Sequence, residues 1–427
     1  MSFRLSLFRR AACASVFFAV LPGWPAEPLT LAEAQRIAIS RSPQLVANEA
    51  SASATRRLAD VAARLPDPVL KLGVDNLPVN GPDRFSLTRD FMTMRRIGLM
   101  QELPALEKRQ LRAQRVAQDA IKLQAERGLV TANLRRDTAL AWLERYYALA
   151  LRKLLLQQID EARVQVEAAE ASYRGAKGSQ GDVFAARSAV SLLEDKLSQV
   201  DTQERNASVM LARWVGAEAQ RLPVGAPPWR TTELARGVTQ EHLETHPSVA
   251  IAAATVQAAQ IDVFLARANR RADWTVEASY QQRGSAYSNM VSIGVSVPLQ
   301  LDRANRQDQE VAARLAQVDE ALAKYEDLLR SEEAEVTVMV NDWRVGTRRV
   351  DRFADSLVPI ARQRAEAALA AYRGGKGDLA SVLAARREHL EFQIQAIAAE
   401  LDTARAWARV NFLSVEHDMS PADRSQP

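Results

Sequence analysis

His242 and His246 stand four residues apart, a spacing that brings two imidazoles to one side of a helix and could begin a metal site. No third ligand stands near them, and the chain has only four histidines, so a surface position with no metal is the expectation. Met92, Met94 and Met100 supply thioethers that suit a soft cation such as Cu(I). Strand alternation would put all three on one side, and a lipid-facing side explains them without a metal. The single cysteine, Cys13, sits inside an N-terminal apolar run, which leaves the remainder without a disulfide, a thiol nucleophile or a thiolate metal site. No P-loop, no Gly-x-Ser-x-Gly and no metal-binding His/Glu motif occurs, so neither an enzyme nor a cofactor is expected.

Charge excludes a further class. The formal net charge is only +4 over 427 residues, and the basic residues are interleaved with Asp and Glu. Nothing there forms the basic stripe of a nucleic-acid binder.

The elements around these residues are repeated. Tyr173-Arg174-Gly175-Ala176-Lys177-Gly178 returns as Tyr372-Arg373-Gly374-Gly375-Lys376-Gly377, and Val183 to Arg187 matches Val382 to Arg386 without a gap. Ser42-Pro43 resembles His246-Pro247, each opening an alanine-rich stretch, and Ile97-Gly98-Leu99 resembles Ile293-Gly294-Val295. Each half therefore predicts a helix (about 30–64 and 238–270), two strands, a very long helix, a Gly-rich turn and a returning helix. No proline lies between Pro104 and Pro223, as an unbroken helix requires. In the second half Val311, Leu315, Val318, Leu322, Tyr325 and Leu329 alternate steps of four and three, a coiled-coil seam. About 70 helical residues make a rod on the order of 100 Å long, which no compact globule can use. Pro359 interrupts the second rod alone and predicts a kink. The turn glycines Gly175, Gly178, Gly374 and Gly377 read as turn formers.

Val69 to Val74, Trp274 to Tyr280 and Met290 to Val297 alternate apolar and polar residues, which suits strands with one side in lipid or core and the other in water. Four strands cannot close a membrane barrel, and an open edge in lipid is prohibitive, so a membrane location demands several protomers. At the N-terminus, Arg4, Arg9 and Arg10 precede the apolar run Ala11 to Leu21 and Pro22-Gly23-Trp24-Pro25-Ala26, the layout of an export signal cleaved near Ala26.

With that order of parts, the Tyr-x-x-Gly/Ala turn and the Val-x-x-Ala-Arg stretch behind it, the chain resembles the TolC-like outer-membrane efflux proteins. The resemblance implies a mainly α fold with a small β part. Long helical hairpins would form a periplasmic tunnel, and four strands per protomer would join a 12-stranded barrel in a homotrimer. It implies a signal peptide over 1–26. A first repeat would occupy 27–236, with strands at about 66–103 and a hairpin at about 105–216. A second would occupy 237–416, with strands at about 272–301 and a hairpin at about 304–415, followed by a tail at 417–427. The expected function is a passive exit duct through the outer membrane, with heavy-metal cations as the expected cargo, working with a periplasmic membrane-fusion adaptor and an inner-membrane pump of the RND type. Drug efflux and type I protein secretion are the alternatives; a coiled-coil adaptor or structural protein is a further one, against which two equal hairpins argue.

Family tips lie at the two turns. This makes Asp182, Asp378 and Ser381 candidate gate positions, although Asp182 could simply cap the helix beginning at Val183. Tyr173, Arg174, Gly175, Lys177, Gly178, Tyr372, Arg373, Gly375, Lys376 and Gly377 are candidate adaptor-docking positions. Their basic members also suit helix C-termini, where the dipole favours cations.

Overall fold

A computed structural model describes residues 27–237 and 239–413. The export signal, Cys13, His417 and the C-terminal tail lie outside the described residues.

The chain opens with α1 (Leu31–Arg41) and α2 (Pro43–Ala62), then β1 (Val69–Asp75) and β2 (Met94–Leu103). Next come α3 (Leu106–Arg174) and α4 (Gln180–Val215), a connecting segment with two short 3-10 turns, α5 (Gln240–Glu244) and α6 (Pro247–Ala268). After β3 (Trp274–Gln282) and β4 (Met290–Ser296), the second hairpin consists of α7 (Gln307–Arg352), a π turn (Phe353–Leu357), α8 (Val358–Arg373) and α9 (Leu379–Asn411). Where single helices are expected at about 30–64 and 238–270, the structure breaks each in two. The break falls before Pro43 and Pro247, because proline disfavours helical geometry in the residue ahead of it while suiting the first helical position.

Uninterrupted by proline, α3 runs 69 residues, a rod of about 100 Å. One helix cannot bury such a rod. Two shorter ones therefore lie end to end along it: α2 beside its start, where Arg109 bonds the Ala63 carbonyl, and α4 beside its far half, tied by Arg145–Glu204 and Arg187–Glu170. In the second half α6 and α9 accompany α7 and α8 in the same way. By length and composition α6 could cross a bilayer, but it packs between α3 and α7. Across the two halves, Arg115–Asp262 joins α3 to α6 and Arg386–Glu161 joins α3 to α9. The helices thus form a wall with α2 and α4 at one edge and α7 and α8 at the other.

The wall's core sits at its waist. Trp142, Leu143, Leu211, Val215, Trp343 and Trp407 are buried there, each large side chain contributing roughly 1.5–3 kcal/mol. Three indoles tie flanking chain to this core: Trp142 donates to the carbonyl of Leu29 ahead of α1 (3.0 Å), while Trp343 and Trp407 donate to Trp229 (2.7 Å) and Thr231 (3.0 Å) of the connecting segment.

All four strands form one antiparallel sheet in the order β1-β2-β3-β4, with β1 and β4 as edges. Register sorts the residues cleanly. Leu70, Leu72, Ile97, Leu99, Ala278, Tyr280, Val291 and Ile293 share one side, because cross-strand partners point the same way. Lys71, Asp75, Arg96, Glu277, Ser279 and Ser292 share the other. The methionine expectation needs correcting here. Met92 precedes the strand, and Met94 and Met100 lie in register with Asp75 and Glu277, on the polar side rather than the apolar one.

Candidate functional site

Two regions of the fold have chemistry to offer: the paired hairpin tips and the two-sided sheet.

Each tip turns by the same device. Lys177 N–H donates to Ser172 O and Ala176 N–H to Tyr173 O, and Lys376 and Gly375 repeat this on Ala371 and Tyr372. These are Schellman turns, which place one residue in the left-handed region. That residue is Ala176 (φ 55°) in the first tip and Gly375 (φ 70°) in the second, so Gly175 and Gly374 are not the strained positions. Gly178 and Gly377 are close-packing positions instead: a Cβ would come within 2.9 Å of Ser172 Oγ or 3.3 Å of Ala371 Cβ.

Behind the turns, the caps are exchanged between copies. In the first, Ser179 is the N-cap of α4 and Asp182 the third helical residue, bonded reciprocally to the Ser179 N–H and hydroxyl (2.9 and 2.8 Å). Asp182 therefore belongs to a capping box on a helix that starts at Gln180, not at Val183. In the second, Asp378 is the N-cap and receives the Ser381 N–H at 2.7 Å. Hydrogen bonds from Ser381 hold the Asp378 carboxyl below its ordinary range. Serine and aspartate have traded places at the same offset, so each tip keeps one carboxylate, three residues apart in the repeat.

The fold brings the two tips together. Ala169, Val183 and Ala186 share an apolar cluster with Leu379 and Val382, and Tyr372 and Leu383 pack against it. Their counterparts in the first copy, Tyr173 and Phe184, stay 49% and 57% exposed. Arg174, Lys177, Arg373 and Lys376 are exposed around both turns. On the α3–α4 side, Glu170 accepts from Arg187 (2.7 Å) and lies 3.8 Å from Arg174, and these cations lower its pKa.

Pro359 does not end the second rod, which continues through it. The backbone widens into the π turn Phe353–Leu357, where Val358 N–H donates back to Phe353 O, and the proline follows at the second position of α8. Such one-turn widenings re-satisfy the helix where a proline ring would otherwise clash.

His242 and His246 do not converge on a site. His242, in α5, accepts from the Thr239 N–H just ahead of that helix (3.3 Å), whereas His246 is buried (8% exposed), against a surface expectation, with Nδ1 3.7 Å from Glu332. Burial pushes its pKa below the ordinary 6.5, opposed by Glu332 and Glu335. Among the described residues no cluster of three His, Cys, Asp or Glu is arranged to hold a metal ion.

On the sheet's polar side, Lys71 pairs with Glu277 (2.6 Å) and Arg96 with Asp75 (3.3 Å). The opposite side is almost wholly apolar and exposed, Ile293 to 77% and Val291 to 72%. One sheet side is thus built for water and the other for lipid, the pattern of outer-membrane barrel strands.

Known proteins match this arrangement. The chain is 25% identical over 260 residues to the pyoverdine export outer membrane protein OpmQ of Pseudomonas putida, covering 57% of this chain. The match spans 54% of that relative, about half its length. Among solved structures, the fold is shared with the outer-membrane channel OprN (TM-score 0.75, 19% identity, 90% of this chain and 89% of that one). It is shared too with CusC, a protein that forms a transmembrane channel (TM-score 0.77, 13% identity, 94% and 95%). Residues 238–414, less than half of the chain, match the family described as outer membrane efflux protein.

Proposed function

We propose that three copies of this chain form the exit duct of a tripartite efflux assembly, passing cargo from the periplasm to the exterior without chemistry of their own. One observation carries this reading. The four-stranded sheet has a lipid side, a water side and two unpaired edges, so it is viable in a bilayer only when copies close it into a ring. Three protomers give a barrel of about 12 strands, and six hairpins a tube that crosses the periplasm.

The tips support the same closure. Tyr372 and Leu383 are covered by the first hairpin of their own chain, while Tyr173 and Phe184 are open at equivalent positions. In a ring, the second hairpin of the neighbouring protomer covers them. The wall edges are likewise apolar and open, at Val46, Leu58 and Val61 on α2 and Leu315, Leu322 and Val338 on α7.

At the tips, Asp182 and Asp378 from three protomers would focus a negative field at the constriction. Arg174, Lys177, Arg373 and Lys376 would pair with a periplasmic membrane-fusion adaptor, itself bound to an RND-type inner-membrane pump. Heavy-metal cations are the cargo this reading favours, with Met94 and Met100 on the water side as the supporting residues. A second reading, export of a small organic molecule, is favoured by the sequence relative named for pyoverdine export. A deletion strain challenged with copper, silver, zinc, cobalt and antibiotics separates them. Metal sensitivity alone supports the first, sensitivity to organic compounds alone the second, and no change in either sinks the efflux reading.

A further inference from the structure

On the sheet's water side both cations have carboxylate partners, Lys71 with Glu277 and Arg96 with Asp75. The lipid side ends differently. Arg95 lies there in register with Val74 and Gln282, one row beyond Ile97 and Tyr280, at the end of the sheet away from the helices. Among the described residues its hydrogen bond is one of 3.4 Å from Nη2 to the Arg283 carbonyl, and its Nε is buried without a partner there. Arg283 bonds the Phe91 carbonyl (2.9 Å) and lies over the Tyr287 ring at 5.1 Å; Arg84 lies over Phe85 at 4.7 Å. Among the described residues these three guanidiniums touch carbonyls and rings, not carboxylates, and leave several of their five donors each unused.

Below Arg95 the apolar side is hollowed. Ala278 is small beside Leu99 and Ile293, which leaves a shallow, wide-open apolar depression bordered by Leu70, Ile97, Leu99, Tyr280 and Val291. From the Arg95 row to the Leu103–Trp274 row is eight residues, roughly 20–25 Å of membrane height for a tilted strand. Arg95 therefore stands at headgroup level while the depression lies at acyl-chain level.

We propose that this face binds a phosphorylated glycolipid of the outer leaflet, lipid A being the chemical type. A phosphate would be held by Arg95 with Arg283 beside it, and an acyl chain would lie in the depression over Ala278. Planar guanidiniums suit phosphate by paired N–H bonds, and a cation at the bilayer surface attracts anionic lipid. The outer leaflet is the source because the Arg95 end of the sheet is the one remote from the helical tube. This rests on the barrel reading above.

The test uses the full-length protein extracted from the outer membrane and measured by native mass spectrometry with added bisphosphorylated lipid A, dephosphorylated lipid A or phosphatidylglycerol. Lipid A is expected to be retained, and Arg95→Gln to weaken it roughly fivefold, with Arg95→Gln/Arg283→Gln weakening it further. Ala278→Leu fills the depression without altering charge and is expected to lower retention as well, which keeps the test decisive if an arginine variant fails to assemble. Equal retention of the dephosphorylated lipid or of phosphatidylglycerol, or unchanged binding by the variants, overturns the proposal. The same spectra report subunit number. A trimer that ignores lipid A defeats this inference alone, whereas a monomer defeats the duct reading beneath it.

Discussion

Ala176 and Gly375 occupy the same left-handed position of two otherwise matching turns, and only the glycine is free of a Cβ that resists it. Ala176→Gly should therefore steady the first tip by about 1 kcal/mol, and Gly375→Ala should loosen the second by a similar amount. Amide hydrogen exchange of Lys177 and Lys376 reads both effects; equal exchange across the variants contradicts the assignment. His246 gives a pH dependence. Its folded pKa is depressed by burial, so the stability it contributes is full above the ordinary 6.5 and is lost as pH falls through the lower folded value. Protection of the α6–α7 contact should therefore drop below about pH 6.5, and His246→Gln should flatten that drop. At this scale the turns were legible in the sequence, since a Schellman turn is local chemistry. The exchanged Ser179/Asp182 and Asp378/Ser381 caps were not, because finding them requires knowing that α4 starts three residues before Val183.

Among the elements, α7 and α9 pack tightly at Gly346, where a Cβ would meet Thr403 Oγ1 at 2.6 Å. Gly346→Val should cost roughly 1–3 kcal/mol by overpacking, seen as a lower melting temperature of the extracted protein, while Val345→Ala next to it, at an exposed position, should change little. The long helices were readable from proline spacing and the four–three seam. That seam, however, is partly open within one protomer: Val311 is buried, yet Leu315 and Leu322 are 42% and 39% exposed. Periodicity reports that a helix has an apolar side and is silent on whether its own chain covers it. The strand register shows the same limit. Alternation predicted two sides, but only pairing with β1 and β3 assigned Met94 and Met100 to the polar one.

For the whole molecule, the duplication becomes a statement about assembly. What the second hairpin buries against the first, at Tyr372 and Leu383, the first leaves open at Tyr173 and Phe184. Phe184→Glu should consequently weaken the association of protomers while leaving the fold of each chain intact, because the side chain is exposed in the single protomer; circular dichroism and subunit number measured together check this. The unpaired edges β1 and β4 make the same demand within the membrane. Native mass spectrometry of the protein extracted in mild detergent from outer-membrane fractions tests the account most directly. Three chains per particle is the predicted result, and a monomer, or recovery of the protein in the soluble fraction, would contradict it.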